Sequence, residues 1–99
     1  MVNDVTIAIP LFNAENYISK ALESALSQTY PYIDILVIDD GCNDGSVDIV
    51  VKQQVQHPRG HAIRLIRHEQ NMGIGETRNH LIDEAKTKYL FFLMKIKRL

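Results

Sequence analysis

The chain alternates short apolar runs with amphipathic segments, and this alternation limits its fold more than any other feature. Residues 5–10 are rich in β-branched side chains and end at Pro10, which cannot donate to a sheet ladder, so a buried strand should stop there. Tyr17, Ile18, Ala21, Leu22, Ala25 and Leu26 then recur at three-to-four spacing. That spacing predicts a helix with one apolar face, capped by Asn13 and favoured by Glu15 in its first turn. Residues 29–31 break the helix, and residues 33–38 form a second β-branched run ending at Asp39, Asp40 and Gly41.

Asp44, Gly45 and Ser46 supply turn and cap chemistry before Val47, Ile49, Val50, Val51 and Val55, a segment that strand propensity also claims. A helix is expected, because strict alternation is absent, Lys52, Gln53 and Gln54 form a polar face, and Pro58 and Gly60 close the segment. Residues 62–67 alternate apolar and polar side chains and predict a third strand nearer the sheet edge. Asn71 and Gly73 then mark a turn. A third helix is expected over residues 75–86 with Leu81, Ile82 and Ala85 inward, and a fourth strand over 89–93. The βαβαβαβ order implies an α/β fold, a mostly parallel sheet with right-handed crossovers and helices on both faces.

At 99 residues the chain holds one domain. So small a core is marginal, and association into homodimers or exchange of elements is expected. A hydrophobic share of 45% and a charged share of 23% exclude disorder. With a net charge of −1 there is no global field to recruit nucleic acid. Lys95, Lys97 and Arg98 read as a solvated basic tail over residues 94–99. Cys42 is the sole cysteine, residues 1–4 lack a signal-peptide pattern, and no apolar run is long enough to cross a bilayer. A cytoplasmic setting without a transmembrane segment is expected.

In parallel sheets ligands bind beyond the carboxyl ends of the strands, which selects residues 10–13, 39–46 and 68–78. Asp39 and Asp40 there can accept hydrogen bonds from a base imide or ribose hydroxyls, hold a metal, or merely cap the second helix. Arg78 occupies the third glycine's place in the spacing from Gly73, which rules out a dinucleotide fingerprint. It can meet a diphosphate, brace the acidic loop or form a surface salt bridge. His57, His61, His68 and His80 read as solvated side chains and form no metal site; Cys42 lacks a histidine partner in sequence and makes a poor nucleophile.

Residues 5–13 (V-T-I-A-I-P-L-F-N), 28–30 (Q-T-Y), 38–46 (I-D-D-G-C-N-D-G-S) and 71–79 (N-M-G-I-G-E-T-R-N) resemble, in order and spacing, the N-terminal half of family 2 glycosyltransferases. The resemblance implies the nucleotide-sugar-binding half of a GT-A, Rossmann-like fold over residues 1–93. It implies an enzyme that transfers a sugar from a nucleoside diphosphate, of UDP type, to a hydroxyl acceptor, usually with inversion. Carried over by motif, Pro10, Phe12 and Asn13 would line the nucleoside site, Asp40 would bond the base with Asp39 in support, Arg78 would sit beside the nucleotide, and Gly73 would let the backbone pass close to the ligand.

Cys42 stands where that family usually has serine, and Thr77 where it usually has alanine. After residues 89–93 the family continues with an Asp-x-Asp motif for Mg²⁺ or Mn²⁺ and the diphosphate, whereas this chain reads Met94, Lys95, Ile96, Lys97, Arg98, Leu99. No carboxylate is present there, and the family's general base lies further along still. The expectation is therefore a truncated, donor-binding fragment without cofactor and without transferase activity of its own. The alternative is a non-catalytic interaction or regulatory module that reuses the fold.

Overall fold

The computed structural model describes residues 4–28 and 32–93. Residues 29–31 and the basic tail at 94–99 lie outside the described residues. The elements run β1 (Val5–Leu11), α1 (Glu15–Leu26), β2 (Ile33–Asp39), α2 (Ser46–Gln56), a 3₁₀ turn (Gly60–Ala62), β3 (Ile63–Arg67), α3 (Ile74–Glu84) and β4 (Tyr89–Phe92). All strand pairs are parallel and the sheet order is β3-β2-β1-β4. The expected α/β architecture is what forms, and β3, the strand with alternating polarity, lies at an edge.

Side chains of a strand alternate between faces, so the central strands β1 and β2 feed two cores. Ile9, Leu11, Ile35 and Val37 pack on one face with Ile18, Leu22 and Leu26 of α1 and Val50 of α2. Ala8, Leu36 and Ile38 meet Leu81 of α3 on the other. Each large aliphatic side chain fully buried this way contributes on the order of 1.5–3 kcal/mol. The helices therefore cover both faces, as expected, and every residue of β2 is buried.

Two local expectations are corrected. Ile82 is 49% exposed and Ala85 only partly buried, because α3 spends its inner face on Thr77 and Leu81. Asn13 does not cap α1; it takes up a left-handed φ of +46°, a conformation asparagine tolerates better than most residues. The cap comes from across the chain. Ser46 Oγ accepts the Ala14 N–H at 2.9 Å, and Asp44 Oδ2 accepts the Glu15 N–H at 3.2 Å. In return Glu15 Oε2 accepts the Gly45 N–H at 3.1 Å, tying the turns after β1 and β2 together.

The sheet order has a direct consequence for function. From β1 the chain steps outward to β2 and β3, and α3 then carries it back over β1 and β2 to β4 on the far side. Successive crossovers thus diverge around β1, which opens a crevice at its carboxyl end.

Candidate functional site

The strand does not stop at Pro10 as expected but runs on to Leu11: Pro10 lies opposite Ile38, Leu11 opposite Asp39, and Leu11 O accepts the Asp40 N–H at 2.9 Å. Asp39 and Asp40 are thereby held at the rim, 1% and 3% exposed. Phe12 follows at 49% exposure. Asn13 faces the neighbouring loop, where its Oδ1 accepts the Asn43 N–H at 2.7 Å.

The two acids have different tasks. Asp39 Oδ1 accepts the Cys42 N–H at 2.8 Å and Oδ2 the Arg67 Nε–H at 3.1 Å, so this carboxylate folds its own loop and anchors the end of β3. Asp40 reaches the entry of α3: Oδ1 accepts the Met72 N–H at 2.7 Å and faces His68 Nδ1 at 3.0 Å, and Oδ2 accepts the Gly73 N–H at 3.1 Å. Burial pushes both carboxyls up, but these bonds outweigh it and hold both below their ordinary value. Both are therefore ionised at neutral pH. The same surroundings act oppositely on the Cys42 thiol, which burial and then the neighbouring Asp39 push up to about 12, so it carries almost no thiolate.

Gly41 makes the close approach of these loops feasible. Its φ is +80°, and a Cβ there would lie 2.9 Å from Asn71 N. Asn71 in turn donates from Nδ2 to Asp40 O at 3.2 Å.

Pro10, Leu11, Phe12, Asp40, Asn71, Gly73, Ile74 and Thr77 together line a cleft of about 320 Å³. A more polar hollow of about 350 Å³ adjoins it, sharing Phe12 and Asn71 and adding Asp39, Cys42, Asn43 and Arg67. Of the residues singled out from the sequence, Pro10, Phe12, Asp40 and Gly73 meet in the cleft, and Asp39 lies in the adjoining hollow. Asn13 and Arg78 line neither; the Arg78 guanidinium sits 5.1 Å from the centre of the Phe92 ring on β4. Another groove, also about 350 Å³, is lined by Val5, Ile7, Ala25, Ile33 and Phe91 and is mostly carbon. With Ser24 and Gln28 as its polar side chains and no charged one, it is the weaker candidate for chemistry.

Sequence reading missed several residues. Thr77 is fully buried and lines the cleft beside Asp40. His68 and His80 are not the solvated side chains expected. His68 Nε2 and His80 Nδ1 are 2.8 Å apart, and His80 Nε2 lies 3.6 Å from Glu84 Oε1. Asp40, His68, His80 and Glu84 thus form one line from the cleft to the surface. His57 accepts the Arg59 N–H through Nδ1 at 2.9 Å. Among the described residues no group of three or more histidine, cysteine or acidic side chains is placed to hold a metal ion, and no helix is long and apolar enough to cross a membrane.

Comparison with known proteins shows the family and the fold. The chain is 38% identical over 89 residues to an uncharacterized glycosyltransferase of Rickettsia bellii, covering 90% of this chain and 12% of that protein. Its fold matches S. aureus TarS 1-349 in complex with UDP-GlcNAc at a TM-score of 0.82 and 26% identity, covering 92% of this chain and 26% of that one. It also matches the mannosyltransferase PcManGT from Pyrobaculum calidifontis, in complex with GDP-Man and Mn²⁺, at a TM-score of 0.76 and 24% identity, covering 87% and 25%. The chain spans from about an eighth to a third of the length of these curated relatives. The family model for glycosyl transferase family 2 matches residues 6–93, nearly the whole sheet and both rims of the cleft, and the chain belongs to that family.

Proposed function

We propose that the cleft at the carboxyl end of β1 takes the nucleoside diphosphate part of a nucleotide sugar, of UDP type. The observation that carries this reading is the convergence of Pro10, Phe12, Asp40 and Gly73 on one cavity. Phe12 offers an aromatic face for a base to stack on. Asp40, ionised and fixed by two backbone amides, can accept the N–H of a base imide through its remaining lone pair. Gly73, with φ +93° and nothing within 4 Å of a hypothetical Cβ, leaves open space at the entry of α3. Asp39 supports the loop, and Asn13 and Arg78 flank the site. The TarS complex, with UDP-GlcNAc in a related fold, supports the choice of a uridine nucleotide.

Transfer to a hydroxyl acceptor is the reaction this reading assigns to the full-length family. A divalent cation, Mg²⁺ or Mn²⁺, belongs to that chemistry, but the described residues do not build its site. Both oxygens of Asp40 are engaged by amides, and Met94 through Leu99 supply no carboxylate. The chain by itself therefore binds the donor and transfers no sugar. A cytoplasmic setting is part of the same proposal, on the single reduced Cys42. So is self-association: β4 is an edge strand with Tyr89 and Phe91 exposed, and a second copy would cover it.

Calorimetric titration with uridine diphosphate, with and without manganese, tests the reading. Binding that needs no manganese and that Asp40→Ala weakens about tenfold or more, ~1.4 kcal/mol, supports it. Absence of binding at millimolar ligand favours a non-catalytic interaction module instead.

A further inference from the structure

We infer that His68 and His80 work as a pair of positioning residues for Asp40, sharing one proton between their rings and coupling the charge of the cleft to the protein surface. Two nitrogens 2.8 Å apart can hold only one hydrogen between them. The ring planes differ by 8°, and a nitrogen contact this short is too close for face-to-face stacking. The rings therefore meet edge to edge in nearly one plane. Asp40, an acceptor only, requires a hydrogen on His68 Nδ1, 3.0 Å away. In the neutral pair His68 Nε2 accepts from His80 Nδ1–H, leaving His80 Nε2 bare toward Glu84.

One more proton then has a place to go. Added at His80 Nε2, 3.6 Å from Glu84 Oε1, it gives the pair a single positive charge between two carboxylates without breaking any bond in the line. A second proton would put hydrogens on both facing nitrogens and force the rings apart. Among the described residues, the other charged groups around the line are Glu76 and Asp83, which line the hollow beside both rings, Asp39, Arg67 and Glu69, which line the hollow beside His68, and Arg64, which donates to Glu84 O at 3.2 Å. The side chain of His68 is only 13% exposed, so its charge acts at short range and with little screening. A positive pair behind Asp40 favours an anionic ligand in the cleft, and by linkage that ligand favours uptake of the proton. This consequence at the cleft rests on the nucleotide reading; the proton sharing itself does not.

Two measurements on the intact chain test the inference. Nitrogen-15 NMR of the imidazoles without ligand should find His68 as the Nδ1–H tautomer and should detect one proton taken up by the pair as pH falls from 8 to 5. His80→Phe should leave His68 as the Nδ1–H tautomer that Asp40 requires and remove only the hydrogen shared with His80. Independent uptake of a full proton by each ring in that range would overturn the inference.

UDP-GlcNAc, whose diphosphate does not titrate in this range, is then titrated calorimetrically from pH 8 to 5.5 in buffers of different ionisation enthalpy. Wild type should bind several-fold tighter at low pH with net proton uptake, and the double variant His68→Asn/His80→Phe, which has no ring to take the proton, should lose both effects. His68→Asn, which keeps a donor toward Asp40, should retain more binding than His68→Ala while also losing the pH dependence. Binding with a pH profile that these variants leave unmoved would overturn the inference. The NMR signature without any binding upholds the pair and sinks the nucleotide reading.

Discussion

The Asp40 carboxylate accepts the Met72 backbone N–H at 2.7 Å, joining the end of β2 to the entry of α3. Asp40→Ala leaves that amide and the Gly73 amide without their acceptor in a part-buried setting. Unfolding in urea should register a loss of about 1–3 kcal/mol. Asp40→Asn, which retains one acceptor oxygen, should lose less. Equal stability of wild type and Asp40→Ala would mean that this carboxylate does not organise the α3 entry.

Acid should weaken the fold through the same loop. Asp39 and Asp40 both titrate below their ordinary value of 3.8 in the folded chain, so the unfolded chain binds more protons on acidification. Their contribution is fully present above the unfolded value and is lost as pH falls through the lowered folded values. Urea midpoints measured from pH 7 to pH 3 should therefore drop below about pH 4. Asp39→Asn should flatten part of that drop, and a midpoint that rises on acidification would contradict the assignment.

At the opposite rim, Arg64 grips Asp34 through Nε at 2.9 Å and a terminal nitrogen at 2.8 Å, and Thr6 Oγ1 donates to the same carboxylate at 3.3 Å. Asp34 is 7% exposed, so Arg64→Ala leaves a nearly buried charge with the weak Thr6 bond in place of the guanidinium. The cost should be about 1–3 kcal/mol, below that of breaking a fully buried pair because the arginine is half exposed. Nucleotide affinity should stay at the wild-type value, since neither residue lines the cleft.

Two neighbouring glycines should respond with opposite sign. Gly75 lies within α3 with nothing within 4 Å of an added Cβ, so Gly75→Ala should stabilise by about 0.5–1 kcal/mol. Gly73 has the same open space but a φ of +93°, and Gly73→Ala should cost roughly 1–2 kcal/mol. Thermal midpoints of the two variants should fall on either side of wild type.

The layout of strands and helices was legible because β-branched runs and three-to-four spacing are local signals. The convergence of residues 10–12, 40 and 73 followed from the rule for parallel sheets together with the motif order. What was not legible is long-range pairing. Asn13 looked like a helix cap, but the capping groups Asp44 and Ser46 come from the next loop, some thirty positions away. His68 and His80 are twelve residues apart and belong to different elements, so only the packing of α3 against β1 and β2 reveals their contact. Ile82 turns outward because α3 presents a narrow inner face that Thr77 and Leu81 already fill.

The claim that the cleft is a nucleotide site is tested most directly by NMR titration of the isotope-labelled chain with uridine diphosphate. Amide shifts should concentrate at Leu11, Phe12, Asp40, Gly41, Asn71 and Gly73 and should saturate. Shifts that cluster instead along Val5, Ile7 and Phe91, or that fail to appear at millimolar nucleotide, would contradict it.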